Sequence, residues 1–248
     1  MAFDAKTVAD EIVARIKEWF GENGKGCSAV VGLSGGIGGA VAATLCVKAL
    51  GPSHVIGVML PSGKKLDTTL ECQICKELCI RQYEMNADIV RAAAASQLLV
   101  RVNPLYKEAK IDLLPRLRSV MLYTLAQSRE GIVISTDTLS KRYIGYTVGR
   151  GNQTGDLAPF ATLTEQEVKA LGRYLELPSE LLDRVPKDEW SGKTVEKILG
   201  FSYEVLDRYI REGVCDDPAV KRKIDKMHRE NASDPRPTVV FDYSFTQE

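Results

Sequence analysis

Ser34-Gly35-Gly36, with Gly32 before it and Gly38 and Gly39 after it, is the stretch whose residue types could do chemistry most directly. It lies between a short apolar run at 28–33 and an alanine-rich stretch at 40–50 that reads as a helix. A strand, a tight Ser-Gly-Gly turn and a helix N-terminus together form an anion cradle. Backbone N–H groups without helical partners point at the ligand, the helix dipole favours negative charge, and glycine lets phosphates approach the backbone. Glycines alone would equally support a plain tight turn. No G-x-G-x-x-G can be laid over the stretch, and no Gly-Lys-Ser/Thr follows it, which excludes two other phosphate-binding patterns.

Other candidate groups carry less. Cys72, Cys75 and Cys79 fall at i, i+3 and i+7, interleaved with Leu70, Ile74 and Leu78. A buried stripe of small apolar residues accounts for that spacing better than a metal cluster. His54 and His228 lie far apart and offer no ligand spacing, and the basic helix from Lys221 to Arg229 reads as a solvated face.

The elements that must hold the loop follow from periodicity. Apolar residues at Val8, Ile12, Val13, Ile16, Trp19 and Phe20 predict an amphipathic helix. Buried strands are expected at 28–33 and 55–60, further strands at 80–85 and 132–134, and helices at 67–79, across most of 86–130, and at 164–175, 179–184, 202–212 and 217–230. Strands alternating with helices imply an α/β fold, a doubly wound parallel sheet flanked by helices. Ligands of such sheets sit beyond the strand carboxyl ends, where Ser34 and Thr136 fall. The polar, glycine-rich stretch 145–162 is too long for an idle connection. One domain over 1–230 is expected, with residues 231–248, including Pro235 and Pro237, as a loosely ordered tail.

Composition bounds the function. Lys plus Arg and Asp plus Glu both number 33, so the formal net charge is zero. This disfavours charge-driven binding to nucleic acid or to an anionic membrane. No apolar run approaches the roughly 20 residues of a membrane span, and the N-terminus lacks a signal-peptide layout. A cytoplasmic protein with reduced thiols at its six cysteines is the expectation.

Gly32-Leu33-Ser34-Gly35-Gly36-Ile37 resembles the S-G-G-x-D-S loop of ATP pyrophosphatases, which split ATP into AMP and pyrophosphate. Three further blocks narrow the resemblance. The segment from Arg116 to Tyr123 is similar to the A-R-x-R-M-x-x-L-Y helix of NAD synthetases. Ser135-Thr136-Asp137, Gly145-Tyr146-Thr147 and Gly155-Asp156-Leu157-Ala158-Pro159 follow their G-T-x-N, G-Y-x-T and G-D-x-x-P run. The segment from Leu199 to Asp207 matches L-G-x-S-Y-x-x-L-D. The blocks keep the family's order from the first helix to about residue 230.

The resemblance implies an ammonia-dependent NAD+ synthetase of the ATP-pyrophosphatase fold. ATP would adenylate nicotinic acid adenine dinucleotide, and ammonia would displace AMP. It assigns Gly32, Ser34, Gly35, Gly36, Gly38 and Gly39 to the ATP phosphates, with Arg116 and Thr136 beside the phosphate and adenylate. Tyr146, Thr147, Asn152 and Asp156 would help form the dinucleotide site, near the interface of a homodimer. Mg2+ is expected as the family's metal.

Several positions depart from the family pattern. Gly38 and Gly39 stand where the family has Asp-Ser, and that Asp is a metal ligand. Lys141 stands where it has a second metal ligand, a Glu. Glu165 stands where it has a basic residue, Asn152 where it has an Asp, and Asp112 where it has an Asn. Neither Gly38 nor Lys141 can coordinate magnesium, which takes oxygen ligands, so no metal ligand is assigned. Lys141 and Glu165 are therefore the altered catalytic positions, with Lys141 expected to meet phosphates as a point charge. The alternative is a homologue with impaired catalysis that acts as a nucleotide-binding or regulatory protein.

Overall fold

The structure, a computed structural model, describes residues 3–63, 67–102, 104–146, 155–185 and 192–232. Helix α1 (Ala5–Asn23) starts at Asp4, whose carboxylate accepts from the backbone N–H groups of Lys6 and Thr7, and buries Ala9, Ile12, Ile16 and Phe20 along one stripe. Strand β1 (Ser28–Leu33) leads through the Ser-Gly-Gly turn into α2 (Ile37–Leu50), three residues earlier than the sequence pattern suggests. Then come β2 (Val55–Met59), α3 (Thr69–Glu77), β3 (Arg81–Glu84), α4 (Ala87–Arg101), α5 (Lys107–Gln127) and β4 (Gly131–Ile134). The remaining elements are α6 (Leu139–Tyr143), α7 (Glu165–Tyr174), α8 (Ser179–Leu182), α9 (Val195–Leu199), α10 (Tyr203–Glu212) and α11 (Pro218–Ala232).

The four strands are parallel in the order β3-β2-β1-β4, with Gly32 opposite Val58 and Val31 opposite Ile134. Both faces are covered, as the expected doubly wound sheet requires. Ala29, Val31 and Leu33 of β1 pack into the core that includes α1, α2 and α7, while Val30 turns to the opposite core with Val58, Val133 and Ala126 of α5. That alternation is the period-two consequence of a strand buried on both sides. The chain proceeds outward from β1 to β3 and then returns to place β4 on the other side of β1. The switch point, and hence the ligand crevice, lies beyond the carboxyl ends of β1 and β4.

Two sequence expectations change here. Helix α3 ends at Glu77, and Cys79 follows in a left-handed conformation (φ 54) and is exposed. The three cysteines therefore do not share one buried stripe. Only Cys75 is buried, which pushes its thiol up to about 11. The expected tail begins later, because α11 continues to Ala232; residues 233–248 lie outside the described residues.

Candidate functional site

The turn after β1 is shaped by two glycines. Gly35 has φ +74, a left-handed conformation that strains any side chain, and Gly36 enters α2 as an N-cap with no side-chain capping bond. A Cβ on Gly39 would stand 2.8 Å from the Gly32 carbonyl oxygen, so α2 crosses β1 at a distance only glycine permits. The first turn of α2 thus presents uncapped N–H groups at the switch point, as a phosphate cradle needs. Gly38 faces Thr136. A Cβ there would lie 3.4 Å from the Thr136 carbonyl oxygen and 3.6 Å from its Cβ, which places Thr136 beside the loop.

Lys141 on α6 and Glu165 at the start of α7 are brought together. The Lys141 Nζ lies 2.7 Å from Glu165 Oε1, and the Thr138 hydroxyl donates to the same oxygen at 2.7 Å. The Lys141 side chain is 32% exposed and that of Glu165 13%. The two altered positions therefore neutralise each other.

Beneath them is a buried network that sequence reading did not assign. Asp207 accepts from the Ser140 hydroxyl through Oδ1 and from the Gln166 backbone N–H through Oδ2 at 2.8 Å, while the Glu165 backbone N–H donates to Ser140 Oγ at 2.9 Å. Thr164 and Glu167 close a reciprocal capping box on the same helix start. Asp207 thereby ties α10 to α6 and to the N-terminus of α7, whose dipole favours its charge. Its only sequence signal was its place at the end of the L-G-x-S-Y-x-x-L-D block. Tyr203 of that block is also buried; burial raises its phenol, and its hydroxyl has no hydrogen-bond partner among the described residues.

Burial pushes Asp137 and Asp207 up to about 6. An unfolded aspartate releases its proton near pH 4. The folded form is therefore favoured by these protons at low pH, and that contribution is lost as pH rises from about 4 to about 6. The loss is on the order of 3 kcal/mol per group. Asp207→Asn is expected to flatten this fall, read as thermal midpoints between pH 4.5 and 7; an unchanged slope would contradict the assignment.

The other sequence candidates scatter. Arg116 pairs with Asp112 one turn back on its own helix, at 2.9 Å. Arg118 of the same block reaches the end of β2 instead, donating to the Leu60 carbonyl and the Ser62 hydroxyl, both at 2.9 Å. Asp156 accepts from the Val133 backbone N–H at 2.9 Å and returns its own N–H to the Val133 carbonyl, so it holds its loop against the edge of β4. Tyr123 accepts from the Gly155 N–H at 3.0 Å on the same loop. Tyr146 packs against the cluster formed by Ile144, Tyr203 and Leu206. Thr147 and Asn152 lie outside the described residues.

A parallel sheet with a Ser-Gly-Gly turn and an uncapped helix start at its switch point is an α/β fold of the ATP-pyrophosphatase type. The NAD synthase family model matches residues 8–235, and the chain belongs to that family. The chain is 32% identical over 221 residues to the NH(3)-dependent NAD(+) synthetase of Mycoplasmopsis pulmonis, covering 86% of this chain and 84% of that protein. Among solved structures, the NMN synthetase of Francisella tularensis superposes with a TM-score of 0.87 at 26% identity, covering 98% of this chain and all of that one. The NH3-dependent NAD synthetase of Campylobacter jejuni superposes at 0.75 with 21% identity, over 97% of this chain and all of its own, which speaks for the fold.

Proposed function

We propose that this chain is an ATP-dependent amide ligase that converts nicotinic acid adenine dinucleotide and ammonia to NAD+. The observation that carries this reading is the Ser-Gly-Gly turn and uncapped α2 start at the β1/β4 switch point, in a chain that matches its family from residue 8 to residue 235. In the reaction, a nicotinate carboxylate oxygen attacks the α-phosphorus of ATP and pyrophosphate leaves. Ammonia then adds to the acyl carbon, loses a proton, and AMP departs with the bonding pair. The uncapped N–H groups of α2, with Gly32, Ser34, Gly35, Gly36, Gly38 and Gly39, hold the phosphates as negative charge redistributes. Thr136 and Arg116 contact the adenylate side, and Tyr146, Thr147, Asn152 and Asp156 serve the dinucleotide.

Magnesium is the family's expected partner to the phosphates. The donor set at this loop does not fit a protein-built divalent site: Gly38 offers no side chain and Lys141 brings a cation to Glu165. Among the described residues, no group of three or more His, Cys, Asp and Glu gathers. The Lys141–Glu165 pair is the local charge that takes its place beside the phosphates.

A homodimer belongs to the same reading. Helix α5 buries only Ala126 across 21 residues, and Ile89, Val100, Val102, Tyr106 and Val120 of the α4–α5 region are at least half exposed. Such a face suits a second copy of this chain. No described helix is long and apolar enough to cross a membrane.

The high superposition on an NMN synthetase favours a second substrate, nicotinic acid mononucleotide, in the same reaction. The purified protein with ATP, magnesium and ammonium should release pyrophosphate and form the amide of one or both acids, followed by mass spectrometry. Binding of ATP without amide from either acid would overturn the ligase reading and leave a nucleotide-binding role.

A further inference from the structure

Glu71 sits in the first turn of α3, where its helix faces the phosphate loop. Its side chain is 7% exposed, and among its near neighbours on α3 are the buried Ile74 and Cys75. One carboxylate oxygen, Oε1, meets Arg184 Nη1 at 3.4 Å; the other, Oε2, is buried with no hydrogen-bond partner among the described residues. The same Nη1 donates to the Gly35 carbonyl at 3.2 Å. A Cβ built on Gly35 would collide with both the Glu71 carboxylate and the Arg184 guanidinium, so the two groups bear directly on the turn. The Arg184 side chain is 46% exposed, which leaves the guanidinium reachable from solvent.

This arrangement is poor as a stabilising device. A buried carboxylate with one long contact and one unmatched oxygen is costly, and a packed apolar residue would serve α3 better. It does have a consequence for Arg184. If the guanidinium swung away, Glu71 would be left as a bare buried anion, so Arg184 is held over the turn. Its Nη1 serves the carbonyl and the carboxylate, and the rest of the planar fork carries further donors suited to phosphate oxygens. The clamp thus adds a fixed cation to a cradle otherwise made of backbone N–H groups.

We propose that Glu71 is a positioning residue that clamps Arg184 over the Ser34-Gly35-Gly36 turn, so that the guanidinium binds the pyrophosphate portion of the nucleoside triphosphate. The proposal rests on the reading of this loop as the ATP phosphate site. Arg184 makes the contact, and Glu71 acts only through it.

The protein is titrated with inorganic pyrophosphate by calorimetry, and the KM for ATP is measured separately from kcat in the amide assay. Glu71→Gln, which keeps the shape and removes the charge, should weaken pyrophosphate binding about tenfold and raise the ATP KM to match. The KM for the acid substrate, which does not meet this turn, should stay within about threefold. Arg184→Ala should weaken pyrophosphate binding at least as much, and the double variant should be no worse than Arg184→Ala alone, because one residue acts through the other. Glu71→Asp, which keeps the charge at shorter reach, should fall between wild type and Glu71→Gln. Unchanged pyrophosphate binding in Arg184→Ala, or additive losses in the double variant, would overturn the clamp. If the wild type forms no amide but pyrophosphate binding still follows this pattern, the ligase reading falls and the clamp stands. If the wild type does not bind pyrophosphate, the clamp falls.

Discussion

Replacing Gly35 with alanine is expected to lower kcat/KM for ATP by about a hundredfold or more and to lower the thermal midpoint by several degrees. Two costs combine. The φ of +74 is left-handed, which costs a non-glycine residue roughly 1–2 kcal/mol. The added Cβ also overlaps the Arg184 guanidinium and the Glu71 carboxylate. Glu71 is nearly fully buried and has little room to retreat, so the turn itself must shift. A displacement of about an ångström in the cradle misaligns N–H groups whose worth lies in their aim, and such errors cost on the order of a hundredfold. ATP titration of the folded variant separates the two effects. A variant that loses stability yet binds ATP normally would show that the turn is structural and that phosphates bind elsewhere.

Much of this architecture was legible because the relevant signals are local. Strands β1, β2 and β4 are short apolar runs bounded by glycine, serine or proline, and α1 and α10 show apolar residues at helical spacing. The Ser34-Gly35-Gly36 turn is equally local: three residues between a strand and a helix. Helix α6 escaped because five residues, Leu139–Tyr143, are too few to display a period. The supporting network escaped for a different reason. Glu71 and Arg184 are 113 residues apart, and Ser140 and Asp207 are 67 apart. Nothing in either segment alone announces its partner, since pairing at such separations is a property of the packed fold. Side-chain direction is likewise a property of the folded helix: Arg116, expected at the phosphates, pairs with Asp112 on its own helix, and Arg118 reaches the end of β2. Side-chain direction on a helix turns by 100° per residue, so a two-residue difference decides which arginine reaches the strand ends.

The Lys141–Glu165 pair yields the second large expectation, and its two halves should act in opposite directions. A unit charge about 6 Å from a phosphate is worth about 3 kcal/mol at an effective dielectric near 20. Partial exposure and the pairing itself reduce this to about 1–2 kcal/mol. Lys141→Ala removes the cation and leaves Glu165, whose side chain is 13% exposed, held among the described residues by the Thr138 hydroxyl. That carboxylate then repels the phosphates as well. ATP binding in the presence of a chelator should weaken by at least tenfold, and kcat/KM should fall by about a hundredfold, because charge on the departing pyrophosphate grows in the transition state. Glu165→Gln removes the countercharge while keeping an acceptor for Thr138, so Lys141 faces the phosphates unneutralised. Chelator-insensitive ATP binding should then tighten severalfold. The double variant Lys141→Glu with Glu165→Lys re-forms the pair with its polarity reversed. It should recover most of the wild-type thermal stability but lose chelator-insensitive ATP binding, since a carboxylate at 141 brings repulsion where an ammonium brought attraction. Equal losses from Lys141→Ala and Glu165→Gln would show that the pair matters only as a strut between α6 and α7. Titrations with and without chelator distinguish the two, because a strut has no preference for the sign of the charge nearest the phosphates.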